Sequence, residues 1–303
     1  MRLVCFVALL VVLLPPAAHA GGDFVDLAVD GSTVWFVGSF GVRGIDGASG
    51  RVTREPQLAP ASYALSVATA GGAVWVASVA NGFVDGRLTR IDPRSGGTRV
   101  VLRVPSGAVE YVAPGAGGIY ALATSSARSR VVLLSDAGRV VRAWNIPDPG
   151  RMTADASGCW VSAGGGLIHI DVAGRMRTVL RAPIGDVATG DGAVWLPLER
   201  TILRVDERTG KVRTLHTGRL HLGGFQHDVA VGAGALWTLD GNVHALQRRN
   251  LETGKVTRSI ALPDLADAVA VTSNAVWVGT STSHLLLRYD PRTLRRTLTV
   301  HAD

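Results

Sequence analysis

Apolar residues along the chain come in short, β-branched runs broken by Gly, Asp, Ser or Pro. No segment keeps helical periodicity for the ~10–12 residues a helix needs. One frame recurs. A run such as Asp26-Leu27-Ala28-Val29 or Asp228-Val229-Ala230-Val231 meets a Gly-rich turn, then an aromatic run such as Val34-Trp35-Phe36-Val37 or Leu236-Trp237-Thr238-Leu239. A third run ends near an acid, as in Leu203-Arg204-Val205-Asp206 or Leu287-Arg288-Tyr289-Asp290, and a turn such as Asp206-Glu207-Arg208-Thr209-Gly210-Lys211 leads to a fourth. Four turn-bounded runs predict one four-stranded antiparallel sheet per unit.

Trp35, Trp75, Tyr120, Trp160, Trp195, Trp237 and Trp277 occupy the second run of successive units, at spacings of 40, 45, 40, 35, 42 and 40 residues. A lone four-stranded sheet buries neither face, whereas radial stacking covers the faces and leaves only short edges. The expected fold is all-β: a seven-bladed β-propeller with four-stranded antiparallel blades, its large aromatics filling the wedge between blades. Six or eight blades are the competing counts. The unit around Tyr120 is the least regular, with Trp144 in its fourth run. No fragment is left over for a blade shared between the ends, so packing between the first and last blades is expected to close the ring.

The N-terminus departs from this pattern. Arg2, the apolar run Leu3 to Leu14 and the small-residue end Ala18-His19-Ala20 read as a secretory signal, residues 1–20, before a single propeller domain over 21–303. A retained membrane anchor is the alternative. Cleavage would leave 283 residues with a net charge of +6 and no mature transmembrane span. The expected location is secreted or extracytoplasmic, with periplasmic and cell-wall-associated placements both open.

Cys159 is then the sole cysteine, so core size and closure must stabilise the chain without a disulfide; it reads as a buried core thiol. Nearly all positive charge is Arg, with only Lys211 and Lys255 as lysines. These cations are interspersed with acids along the sequence, which makes nucleic acid an unlikely partner. A monomer is expected.

Candidate chemistry follows from the frame. The position nine residues before each aromatic gives Asp26, Ser66, Tyr111, Arg151, Asp186, Asp228 and Ala268, and the position before it adds Glu110, His227 and Asp267. Inner strands line a propeller's channel, so these groups converge at one mouth. They suit a small-molecule or metal site, or the capping of strands and channel water. His221 and His227 in the long connection 218–228, with His244 nearby, offer a transition-metal alternative. The excursion 79–86 would bring Phe83 and Asp85 over the mouth. Ser125, Ser126, Arg128, Glu199, Arg200, Asp240 and His284 occupy corresponding loops. No GxSxG, Walker A, dinucleotide, HExxH or EF-hand pattern is present.

The repeated Gly-x-Val/Leu-Trp cores and Asp-x-x-Ser/Thr-Gly-Lys/Arg turns resemble the bacterial YVTN and streptogramin B lyase-like propeller superfamily over residues 24–300. The resemblance implies an extracytoplasmic binding propeller or, in the lyase branch, metal-assisted opening of a cyclic antibiotic by histidines in successive blades with a nearby Glu. His227 matches the first such position. Asp267-Ala268 stands where the second His would be, and Ser281-Thr282-Ser283 supplies no Glu. The leading expectation is binding of a small molecule or an extracytoplasmic protein at the mouth. The alternative is a metal-assisted lyase or hydrolase, with His227 as base, Asp186 and Asp228 joining it as metal or electrostatic groups, and Arg151 stabilising an anion. The cofactor is unknown, a divalent metal being possible.

Overall fold

The computed structural model describes residues 25–80, 84–182, 185–217, 220 and 229–302. Their strands form seven four-stranded antiparallel sheets, and in each the strands pair in sequence order from the inner to the outer edge. The inner strands are Asp26–Asp30, Ser62–Ala70, Gly107–Gly115, Pro149–Asp155, Ala188–Gly190, Val229–Gly232 and Ala266–Val271. Blades 1 to 7 follow the chain, including the unit around Tyr120.

Each frame aromatic lies in the second strand opposite a small inner-strand residue: Ala28, Ala68, Ala113, Thr153, Ala188, Ala230 and Ala270. A small side chain at the channel edge leaves room for a large one farther out, where neighbouring blades diverge. All seven aromatics are buried. Several tie their polar edge to their own inner hairpin, as when the indole N–H groups of Trp75, Trp195 and Trp237 donate to the carbonyls of Ala70, Gly190 and Gly232. The third-strand residue facing Trp75, Trp195 and Trp277 is an arginine, whose guanidinium lies 5.5–5.8 Å from the ring.

The core is divided along the seams. Each of its seven apolar clusters combines residues of two adjacent blades. The closing cluster joins Val25, Leu27, Phe36 and Ile45 of blade 1 to Ala268, Trp277, Leu286 and Val300 of blade 7. Among the described residues no strand is exchanged between these two blades, and side-chain packing joins them.

The hairpins joining third and fourth strands share one design in blades 1, 2, 5, 6 and 7, while blades 3 and 4 turn one residue tighter. Asp206 Oδ1 accepts the Thr209 amide at 2.7 Å and its hydroxyl at 2.6 Å, which holds the Asp206 carboxyl below its ordinary range. Gly210, with φ +70°, then donates its amide to the Asp206 carbonyl. In blade 7 the left-handed position is filled by Leu294, φ 58°, whose buried side chain joins the core between blades 6 and 7. Cys159 is free and fully buried, as expected, and burial pushes its thiol up. Among the described residues no helix is long and apolar enough to cross a membrane.

Candidate functional site

Inner strands start at one end of the channel, fed by the connections from the preceding blades. Apolar residues of these strands, including Leu27, Val67, Val112, Met152 and Val269, together with Val187 just before the fifth, line a central space of about 300 Å³. Threonines 69, 153 and 189 lie farther along it. The polar frame residues stand at the mouth above this apolar collar.

β-Bulges shape the mouth. Pairing between the first and second strands slips at Glu110 in blade 3, across Gly150 and Arg151 in blade 4, and at Asp267 in blade 7. A bulge re-aims the side chain of the extra residue, so three of the charged candidates sit where the ladder is broken.

Two of the frame residues bind adjacent blades together. Asp26 accepts the Leu27 amide through Oδ1 and the Val67 amide of blade 2 through Oδ2, at 2.7 and 2.8 Å. Ser66 Oγ accepts the Val112 amide of blade 3 at 3.3 Å. These contacts match the strand-capping role that the sequence left open for them.

Other frame residues form a charged group. Arg151 donates to the Tyr111 hydroxyl, and its guanidinium lies 5.5 Å from the Tyr111 ring centre. Burial pushes the Tyr111 hydroxyl far above its ordinary range, opposed by the charge of Arg151 and assisted by Asp186 and Glu110. Thr124 donates to Glu110 at 2.5 Å. Asp267 is pushed up to about 6, chiefly by burial and further by Asp264, against the pull of the Ser281 hydroxyl and Arg151.

Two acceptors in this group have no donor. Asp186 is 5% exposed and uses Oδ1 to accept the Val187 amide, while its Oδ2 has no partner. Asp267 is 3% exposed, and its Oδ1 has none either. Buried carboxylate oxygens without donors are costly.

His221, His227 and Asp228 lie outside the described residues, as does Phe83. Among the described residues no three His, Cys, Asp or Glu side chains are grouped to hold a metal ion. Asp85 is held by Arg87, which also donates to Ser62, and half of excursion 79–86 is strand, since pairing reaches Ala80 and resumes at Asp85. Ser125 and Arg128 bond to one another, and Asp240 accepts from Asn242, Val243 and Gln247. His244 precedes the third strand Ala245–Arg249, and His284 sits edge-on to Phe40 at the closing seam.

The frame did not reveal the residues supporting this group: Thr124, Ser162, Asp264 and Ser281. Ser162 Oγ accepts the Arg151 amide at 2.7 Å and bonds the Gly185 carbonyl at the next blade. Small hydroxyl residues at such spacings carry no distinguishing sequence signal.

The fold is shared with solved propellers at low identity. BamB from Moraxella catarrhalis is 16% identical, with 84% of this chain and 81% of that one covered and a TM-score of 0.58. Apo AztD from Citrobacter koseri is 15% identical, with 92% and 86% covered and a TM-score of 0.57. The computationally designed Ika8 protein is 14% identical, with 94% and 88% covered and a TM-score of 0.60. Identities this low establish the architecture alone and do not single out the YVTN and streptogramin B lyase-like branch. No protein-family model matches the chain, and no curated protein matches it.

Proposed function

We propose that the protein is an extracytoplasmic binding propeller whose channel mouth takes a small molecule bearing a cationic N–H group, such as an amine or guanidinium. The observation that carries this reading is the pair of buried, donorless oxygens, Asp186 Oδ2 and Asp267 Oδ1, on residues that shortly precede Val187 and Val269, which line the central space of about 300 Å³. Arg151 donates to Tyr111, and neither carboxylate oxygen has a hydrogen-bond partner. A cationic ligand would supply the missing donors, and its apolar part would suit the Leu/Val collar. A basic side chain of a protein partner offers the same chemistry from a second source. The signal-like N-terminus supports the location.

The YVTN-like reading rests on the repeated Trp cores and Asp-x-x-Ser/Thr-Gly-Lys/Arg turns, and the metal-assisted lyase or hydrolase reading within it rests on His227 with Asp186, Asp228 and Arg151. No grouping of described residues adds to it.

Thermal-shift and calorimetric titration with putrescine, arginine and choline tests the binding reading. A saturable response that Asp186→Asn and Asp267→Asn each weaken is the expected result. A response left unchanged by both variants, or obtained only with anionic compounds, would overturn it.

A further inference from the structure

The outermost strand of every blade is largely exposed to solvent. These seven strands are Val52–Arg54, Thr98–Pro105, Val140–Asn145, Met176–Arg181, Val212–His216, Val256–Ala261 and Arg296–His301. They contain nine arginines: Arg54, Arg99, Arg103, Arg142, Arg177, Arg181, Arg213, Arg258 and Arg296. All nine are exposed, and the seven strands contain no Asp, Glu or Lys. Cations interspersed with acids along the sequence are therefore gathered by the fold onto one continuous perimeter. Among the described residues only Arg213 has a carboxylate partner there, Glu252 at 2.7 Å.

Protection of open sheet edges does not account for this. Six of the seven outer strands carry a bulge against their third strand, and bulges already deter edge-to-edge pairing. Charges of either sign would serve the same purpose. A single sign on all seven blades instead produces a positive field around the wall.

We propose that this outer wall binds a flexible linear polyanion with closely spaced oxyanion groups, following the curve from blade to blade. Arginine's planar fork suits tetrahedral and carboxylate oxyanions. Arg99 and Arg103 face Arg90 and Arg87, and Arg177 and Arg181 face His169 and Gly166; with the bulge between them each pair spans three ladder steps, about 10 Å along the strand, so one blade can meet several repeats of such a polymer. At physiological salt a single exposed pair is screened within about 8 Å, and useful affinity needs many contacts together. A flat surface would touch only the arc of the disc nearest it, whereas a flexible chain can engage several blades. This inference stands apart from the ligand proposed for the mouth.

The test is anisotropy titration of the full chain with fluorescent long-chain polyphosphate and with poly-glutamate, over a series of salt concentrations. Saturable binding at about 0.15 M salt to either polymer is expected, and the tighter one identifies the oxyanion. The variant R99Q/R103Q/R177Q/R181Q should lose affinity at least about tenfold and show a shallower salt dependence. The loop variant R94Q/R128Q/R208Q/R292Q removes the same charge away from the outer strands and should lose less than about twofold. Thermal unfolding of both variants verifies that they fold. Equal losses in the two variants, no binding at about 0.15 M salt, or tighter binding to vesicles containing phosphatidylglycerol than to either polymer would each overturn the proposal.

Discussion

The Asp26 carboxylate crosses a blade boundary to accept the backbone amide of Val67, 41 residues on in sequence, at 2.8 Å. Its other oxygen accepts the amide of Leu27, so one buried side chain fixes the start of its own inner strand and its distance from the next. Ser66 repeats the device one blade later.

Asp26→Ala should therefore strand two buried amides and lower stability by about 2–3 kcal/mol. In a domain of this size that corresponds to roughly 2–4 °C in Tm per kcal/mol. Asp26→Asn keeps one carbonyl acceptor and should lose less. Urea unfolding midpoints at an unchanged m-value would show both effects, and an alanine variant as stable as the parent would remove Asp26 from the inter-blade linkage.

The closing seam is equally exposed to test. A Cβ on Gly279 would stand 2.8 Å from the Phe36 ring and 3.3 Å from Val25, both in blade 1. Gly279→Val should thus wedge blades 7 and 1 apart and cost about 1–3 kcal/mol. Limited proteolysis should accelerate at this seam before the others. Uniform protection would show that the contact between blades 7 and 1 is not the weak point.

Much of this architecture is legible in the sequence because the aromatic frame is a packing rule. A residue filling the wedge must recur once per blade, even where Tyr120 replaces Trp. The same frame placed Asp26, Ser66, Tyr111 and Arg151 correctly along the inner strands. Contacts that form only when blades stack were not legible. The Asp155–Glu207 pair comes from an inner hairpin of blade 4 and an outer hairpin of blade 5, with no shared motif. The arginine wall was hidden similarly, since alternating with acids in sequence says nothing about which strand of a blade each residue occupies.

The Asp155–Glu207 pair lies at the channel end opposite the mouth and gives a pH prediction. Asp155 Oδ1 accepts the Ser157 amide and hydroxyl at 2.6 Å, while Oδ2 is buried without a donor among ionised groups. Glu207 is pushed up to about 7, first by burial, then by the charge of Asp155 and by a hydrogen bond to it. A protonated Glu207 is thus the donor that Asp155 lacks. Because the folded chain holds this proton more tightly than the unfolded one, the resulting stability is fully present below the ordinary glutamate range and lost as pH rises through about 7. Glu207 is partly solvent-screened, which limits the effect to about 1 kcal/mol, or roughly 2–4 °C. Glu207→Gln donates at every pH, so its Tm should lack the decline seen in the parent between about pH 5 and 8. Parallel Tm–pH curves for the two proteins would contradict the shared proton.

At the mouth the same direction of shift has an opposite consequence for ligand affinity. Burial pushes Asp267 up to about 6, so the carboxylate that would receive a cationic ligand is mostly protonated at pH 5 and mostly ionised at pH 7. Affinity for an amine that stays charged throughout should therefore be about tenfold lower at pH 5 than at pH 7, following the ionised fraction. Asp267→Asn should bind weakly at both pH values, with the dependence gone. Asp186→Asn should also weaken binding but retain the slope, because Asp267 still titrates. Isothermal titration of arginine across this range separates the cases. A slope surviving in Asp267→Asn would assign the titration to another group, and a flat profile in the parent would place the ligand away from Asp267.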